Sequence, residues 1–219
     1  MARKLAIVHT GPVTIEPLAK VFAEVAPDLT LVNIVDDSLL KDVMAVGHVT
    51  PKVLQRMCWY FGAAEQLGAD AILNACSTVG DASDIAAQTV GIPVVRVDEP
   101  MAREAVRIGT QIALMATVPT TVGPSTRLIE RCAAKAGKDV TVKARLCSDA
   151  FQLLLAGDKA GHDNVLLSQI RDAAREADVV VLAQVSMARL LDSLGDDVGA
   201  PVLASPVLGA KEAARVVGQ

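Results

Sequence analysis

Short apolar runs alternate with longer amphipathic stretches along the whole chain. Runs at residues 5–8, 30–34, 71–75 and 94–97 occupy the first half, and runs at 112–116, 140–144, 179–182 and 202–203 the second. Each is short and nearly all apolar, which predicts strands covered on both faces. Helical periodicity is predicted at 14–25, 81–90, 100–108, 125–136, 164–177 and 210–217. The clearest helix begins at Thr50, which can cap it. Pro51 suits its first turn, and Leu54, Met57, Cys58, Phe61 and Leu67 form its apolar stripe. Strands joined by helices predict parallel sheets built through right-handed crossovers, with active loops at the carboxyl ends of the strands.

The pattern also repeats. Lys4-Leu-Ala-Ile-Val-His-Thr10-Gly-Pro12-Val-Thr14-Ile-Glu-Pro17 is echoed by Gln111-Ile-Ala-Leu-Met-Ala-Thr117-Val-Pro119-Thr-Thr121-Val-Gly-Pro124, an offset of 107 residues. Ala71-Ile-Leu-Asn-Ala75-Cys76-Ser-Thr78 is echoed by Val179-Val-Val-Leu-Ala183-Gln184-Val-Ser186, an offset of 108. Two echoes in the same order at nearly one offset indicate duplication. The expected fold is α/β with two similar lobes, each a parallel sheet flanked by helices, related by a pseudo-twofold duplication with the site in the cleft between them. The expected boundaries are 1–97 plus 206–219 for the first lobe and 98–205 for the second. Residues 148–164, with Gly157 and Gly161, read either as a mobile cover or as a plain loop between two helices.

Composition narrows the picture. The apolar fraction is 52% but only 2% is aromatic, so Ala, Val, Leu and Ile must build the core. A net charge of −4 without a basic run argues against nucleic acid. No apolar stretch reaches the roughly 18–20 residues that span a bilayer. The charged start at Met1 to Lys4 is followed by an apolar run only a strand long, so the expectation is a cytoplasmic protein. Four cysteines without paired spacing fit reduced thiols, and no His, Cys or carboxylate cluster has metal-ligand spacing.

Candidate chemistry gathers at predicted strand ends. Cys76 follows a strand and precedes a turn into a helix, where free N–H groups and the helix dipole favour a thiolate; a buried thiol used as a small hydrophobe is the plain alternative. Ser77 and Thr78 add hydroxyl donors. Thr117, Thr120 and Thr121 form a donor-rich turn suited to a carboxylate, or else cap the helix that follows, and Thr10 and Thr14 make the same case in the first half. His9 reads either as a proton carrier near Cys76 or as a histidine bonded to a loop. Cys58 and Cys132 read as core, Cys147 as core or cleft rim, and His48 and His162 as loop residues. Asp98 and Glu99 read as a solvated helix start.

Taken together, Asn74-Ala75-Cys76-Ser77-Thr78, residues 112–125, residues 179–190 and the Val94-Val-Arg-Val-Asp-Glu-Pro-Met-Ala-Arg-Glu segment resemble the aspartate/glutamate racemase superfamily, with its hydantoin racemases, maleate isomerase and arylmalonate decarboxylase. The resemblance implies two cysteines flanking the α-carbon of a small carboxylic acid, with no cofactor and no metal, and a homo-oligomer. The first cysteine carries over onto Cys76. The second falls on Gln184, next to Ser186, and an amide cannot act as acid or base near neutral pH. A symmetric two-thiol racemisation is therefore not expected. The leading expectation is a cofactor-independent isomerase or lyase acting next to a carboxylate, with Cys76 as acid/base or nucleophile and Gln184 opposite. The alternatives are a racemase or epimerase using His9, Cys147 or a water as second base, and a binding protein that has lost catalysis.

Overall fold

A computed structural model describes residues 3–195 and 198–218. The chain divides into one unit of Met1–Pro100 with Pro206–Gln219 and another of Met101–Ser205. In the first, strands β1 (Lys4–His9), β2 (Thr30–Val35), β3 (Ala71–Asn74) and β4 (Val94–Arg96) alternate with helices α1 (Ile15–Val25), α2 (Ser38–Val46), α3 (Pro51–Gln66) and α4 (Gly80–Ala86). Helix α5 (Glu99–Ile108) crosses the boundary. The second unit has β5 (Gln111–Ala116), α6 (Pro119–Ala136), β6 (Thr141–Leu146), α7 (Ser148–Leu155), α8 (Lys159–Ala174), β7 (Val179–Leu182) and β8 (Val202–Ala204). Helix α9 (Ser205–Gly218) returns the chain to the first unit.

The two sheets are copies of one plan. Their strand orders are β2-β1-β3-β4 and β6-β5-β7-β8, all parallel. Leu5 pairs with Ala71 as Ile112 pairs with Val179, and Ile72 with Val94 as Val180 with Val202. The offsets of 107 and 108 residues read from the sequence therefore recur in the register. Even the strand entrances match. Asp70 accepts from the N–H of Lys4 at 2.6 Å, and Asp178 accepts from the N–H groups of Gln111 and Thr110 at 2.8 Å each. These bonds, Gln111 first, hold the Asp178 carboxyl below the ordinary carboxylate range. A carboxyl whose folded pKa is depressed contributes stability above its unfolded pKa of about 3.9 and loses it as pH falls through the folded value. Asp178→Ala should thus be less stable than the parent at neutral pH. Denaturation midpoints measured from pH 7 to pH 2 should converge below about pH 4.

Central strands β1, β3, β5 and β7 are buried almost throughout, whereas edge strands β2 and β6 alternate between partial and full exposure. Coverage on both faces thus holds for the middle of each sheet only. In the first unit, Val53, Met57, Phe61 and Ala64 of α3 pack with Leu39 and Val43 of α2 against Ala6, Val8 and Ile72. In the second, Leu166, Ile170 and Ala173 of α8 pack with Met187 and Leu190 against Ala113, Met115, Val180 and Leu182. Full burial of each large aliphatic or aromatic side chain contributes about 1.5–3 kcal/mol. Thr50 caps α3 through Val53 N–H, with Pro51 in the first turn. Among the described residues no helix is long and apolar enough to cross a membrane.

Several elements differ from expectation. Helix α6 starts at Pro119, not at Ser125. Pro119 has no N–H to waste in a first turn, and Pro124 lies inside the helix. Thr120 and Thr121 are therefore helical. Helix α2 fills a stretch for which no helix was predicted, and α9 starts five residues before the predicted 210. Residues 148–155 form α7 and Lys159 already begins α8, so most of the candidate cover is helical, with Gly157 between the two helices.

Candidate functional site

In the first unit the carboxyl ends of β1 and β3 lie side by side, with the Ala75 N–H donating to the Val8 carbonyl at 3.0 Å. Beyond β3 the chain stays extended at Cys76 and then turns through Ser77–Val79 into α4. Asn74 fixes this exit. Its Nδ2 donates to the Cys76 carbonyl at 3.0 Å, and its Oδ1 accepts from the Cys76 N–H at 3.4 Å. Cys76 remains partly exposed while Asn74, Ser77 and Thr78 are buried around it. Cys76 is thus held at a strand end, half-buried against the core of the first unit, and differs from the equally half-buried Cys58 in standing at a strand exit and not on a helix.

His9 ends β1 with no exposure. Its Nε2 bonds Asn33 Oδ1 at 2.9 Å and its Nδ1 bonds the Thr14 hydroxyl at 2.6 Å. Burial lowers its pKa, against the opposing pull of Asn33. The neutral ring then donates from Nε2 and accepts at Nδ1, so both nitrogens are occupied within the unit. Of the two expectations for His9, the geometry matches the loop-bonded histidine. Thr10 follows it, nearly buried.

The second unit repeats this exit with other chemistry. Gln184 is extended like Cys76 and is followed by a 3-10 turn over Val185–Ser193 that includes the half-buried Ser186. Its amide grips Thr117: Oε1 accepts from the Thr117 N–H at 2.8 Å, and Nε2 donates to the Thr117 Oγ1 at 2.9 Å. From the sequence, that amide has no acid or base role. Here it orients a threonine instead, leaving the Thr117 hydroxyl with its own proton to donate. At the start of α6, Thr121 is buried, and the hydroxyl of Thr120 is buried without a partner among the described residues.

The remaining thiols fare differently. Cys132 is buried and Cys58 packs against the α3 core. Cys147 is buried, and burial pushes its thiol up to about 11, which disfavours a thiolate at neutral pH. His162 is no loop residue. It is buried in the first turn of α8, with Nδ1 bonded to Asp163 at 2.7 Å and close to Arg189. Asp98 is not solvated either: it is 2% exposed and pairs with buried Arg96, at 3.1 Å from both Nε and Nη2. Sequence reasoning missed this pair, whose only trace was an arginine inside an apolar strand. Among the described residues no group of three or more His, Cys, Asp or Glu is arranged to hold a metal ion.

Comparison with solved structures finds the same architecture. A glutamate racemase (RacE1) from Bacillus anthracis matches with a TM-score of 0.72 at 18% identity, covering 99% of this chain and 82% of that one. An aspartate racemase homologue from Pyrococcus horikoshii gives 0.73 at 15%, covering 100% of both chains. Allantoin racemase from Klebsiella pneumoniae gives 0.70 at 15%, covering 99% of this chain and 88% of that one. No relative among curated proteins matches by sequence. The Asp/Glu/Hydantoin racemase family model, however, matches residues 10–213. With its duplicated α/β plan and its thiol at the end of β3, the chain belongs to the Asp/Glu/hydantoin racemase family.

Proposed function

We propose that the protein is a cofactor-independent isomerase or lyase that moves a proton at the carbon next to the carboxylate of a small organic acid, with Cys76 as its single thiol acid/base. The observation that carries this reading is the contrast between two equivalent strand exits. One presents a partly exposed thiol on a backbone locked by Asn74; the other presents an amide already bonded to Thr117. In an isomerisation, the Cys76 thiolate takes the α-proton, and the electron pair delocalises into the carboxylate and through an adjacent double bond or carbonyl of the acid. The same thiol then returns the proton to the far end of that conjugated system. In a decarboxylation of an acid with two carboxylates on one carbon, the carbon–carbon bond to one of them breaks and carbon dioxide leaves. The electron pair passes into the other as an enediolate, and the Cys76 thiol protonates that carbon and regains its proton from water. Thr10, Ser77, Thr78, Thr117, Thr120, Thr121 and Ser186 are the proposed hydroxyl donors to the acid's oxygens. Gln184 acts by aiming Thr117. His9, through Thr14 and Asn33, supports the loop after β1.

The test is incubation in deuterated water with a panel of small dicarboxylates, hydroxy acids and amino acids, each as a pure enantiomer. Proton NMR reads exchange and chiral chromatography reads configuration. Deuterium at one carbon in one configuration is the expected result, and carbon dioxide release would select the lyase. Conversion of either enantiomer to a racemate would overturn the one-thiol mechanism. Binding without exchange by every acid that binds would make the protein a binder.

A further inference from the structure

The unit that carries the thiol holds a charged assembly that the other unit lacks. Arg96 is the last residue of β4 and lies beside Asn74 in the sheet register. Its side chain is 3% exposed. The guanidinium meets Asp98 through Nε and Nη2 at 3.1 Å, Asp84 through Nη1 at 3.0 Å, and Asp81 at 3.8 Å. Burial opposes its charge, and Asp98 and Asp84 more than restore it, so the guanidinium pKa lies above its ordinary value.

The same group presses on the turn that follows Cys76. A Cβ on Gly80 would lie 2.1 Å from Arg96 Nη2 and 2.4 Å from its Cζ, so only glycine leaves room for the guanidinium here. At equivalent places in the second unit, Leu182 replaces Asn74 and Ala204 replaces Arg96, directly paired in the register as their counterparts are. At the same 108-residue offset, Ala188 stands for Gly80 and Pro206 for Asp98. A device needed only to close a parallel sheet onto its helix would serve both units. Its arginine accompanies Cys76 and gives way to Ala204 in the unit where Gln184 stands, although Asp192 keeps the place of Asp84.

We propose that Arg96 is a positioning residue for Cys76: seated on Gly80 between Asp84 and Asp98, it fixes the turn that presents the thiol and offsets the carboxylates gathered there. The inference rests on Cys76 being the reacting group of the proposed function. Several charged groups surround the turn. Asp81 and Asp84 come from α4 and Asp98 from the end of β4. His9 is neutral at the end of β1. On α3, which packs against α4, Arg56 is held by Asp36 and Asp42 and Glu65 by the N–H of Gly91. On α2, which also packs on the turn, Lys41 is held by Asp37, and Asp81, Asp84 and Asp98 gather round the buried Arg96 guanidinium. Without the cation, the carboxylates at that turn lose their buried partner, and both the turn geometry and the local balance of charge change.

The experiment is the pH profile of iodoacetamide alkylation at Cys76, followed by peptide mapping in the intact protein and in Arg96→Met, Arg96→Lys, Gly80→Ala and Asp84→Asn. Arg96→Met should move the midpoint up by about half to one pH unit and slow labelling at pH 7 about three- to tenfold, the size of one nearby charge at a partly solvated thiol. Gly80→Ala, which displaces the guanidinium, should shift it the same way, and Arg96→Lys should recover part of the change. Asp84→Asn removes a half-exposed carboxylate and should shift the midpoint down. Should Arg96→Met fail to fold, the opposite shifts of Gly80→Ala and Asp84→Asn carry the test. A reactive Cys76 whose midpoint is the same in all folded variants, or moves in one direction in all of them, overturns this inference alone. A Cys76 that labels no faster than Cys58 or Cys132 in the unmodified protein overturns the one-thiol reading and this inference with it.

Discussion

Replacing Cys76 by serine is expected to lower deuterium exchange next to the substrate carboxylate by about a thousandfold. The substitution changes one atom and leaves the strand exit intact, because Asn74 grips the backbone of residue 76 and not its side chain. A serine hydroxyl is far too weak an acid to supply an anion at neutral pH, so the proton transfer loses its carrier while the acid's binding is retained. Two of the other three thiols are closed to solvent. Cys147 is buried with its pKa pushed up to about 11, and Cys132 is buried on α6. His9 has both ring nitrogens occupied. The measurement is exchange by NMR, with substrate affinity by calorimetry as the control. A serine variant that keeps more than a tenth of the parent rate would remove Cys76 from the chemistry.

The second large effect concerns stability. Asp98→Ala leaves the Arg96 guanidinium in place with its buried partner gone, and breaking such a pair costs about 3–5 kcal/mol. Both side chains are 3% exposed, so little solvent is at hand to compensate. Asp84 is half exposed and bonds Nη1 at 3.0 Å. Chemical denaturation followed by circular dichroism should show the loss as a clear drop in midpoint. Removing both charges together, as Arg96→Met with Asp98→Leu, should recover much of it, since no charge is then stranded. A loss below about 1 kcal/mol in Asp98→Ala would mean that water reaches the guanidinium after all.

These residues also show what the sequence discloses and what it withholds. The central strands were legible because burial on both faces forces a continuous apolar run, and the duplicated register was legible because the echoes keep their spacing through β1, β3, β5 and β7. Edge strands β2 and β6 broke the rule for the opposite reason: one face is partly open, so Lys143 and Arg145 stand in a strand. Helix α6 was placed late because Thr117 to Thr121 reads equally well as a loop or a first turn, and only the helix's packing decides. The Arg96–Asp98 pair was obscured because an aspartate before a helix has a simple local explanation, while its arginine is anchored by α4, a separate element. Gln184 was singled out from the echo, but its grip on Thr117 spans 67 residues and leaves no local signature. What chemistry a residue can perform is written in its type; which partner occupies it is decided in three dimensions.

The return of α9 to the first unit bears on how the protein is made. Gly209 sits so close to Val97 that a Cβ there would lie 2.6 Å from the Val97 carbonyl, and Arg3 bonds the Val217 carbonyl at the far end of the helix. The N-terminal unit is thus covered by a segment that is translated after the whole of the second unit. During synthesis, Met101–Ser205 emerges in one continuous stretch and can fold as a unit, while the earlier half waits with the flank that α9 will cover still open to solvent. That half gains its cover only after residue 205 has been passed. The thiol-bearing unit is therefore the late-maturing one, and a nascent chain stalled before Ser205 would leave Val97 without the helix that covers it.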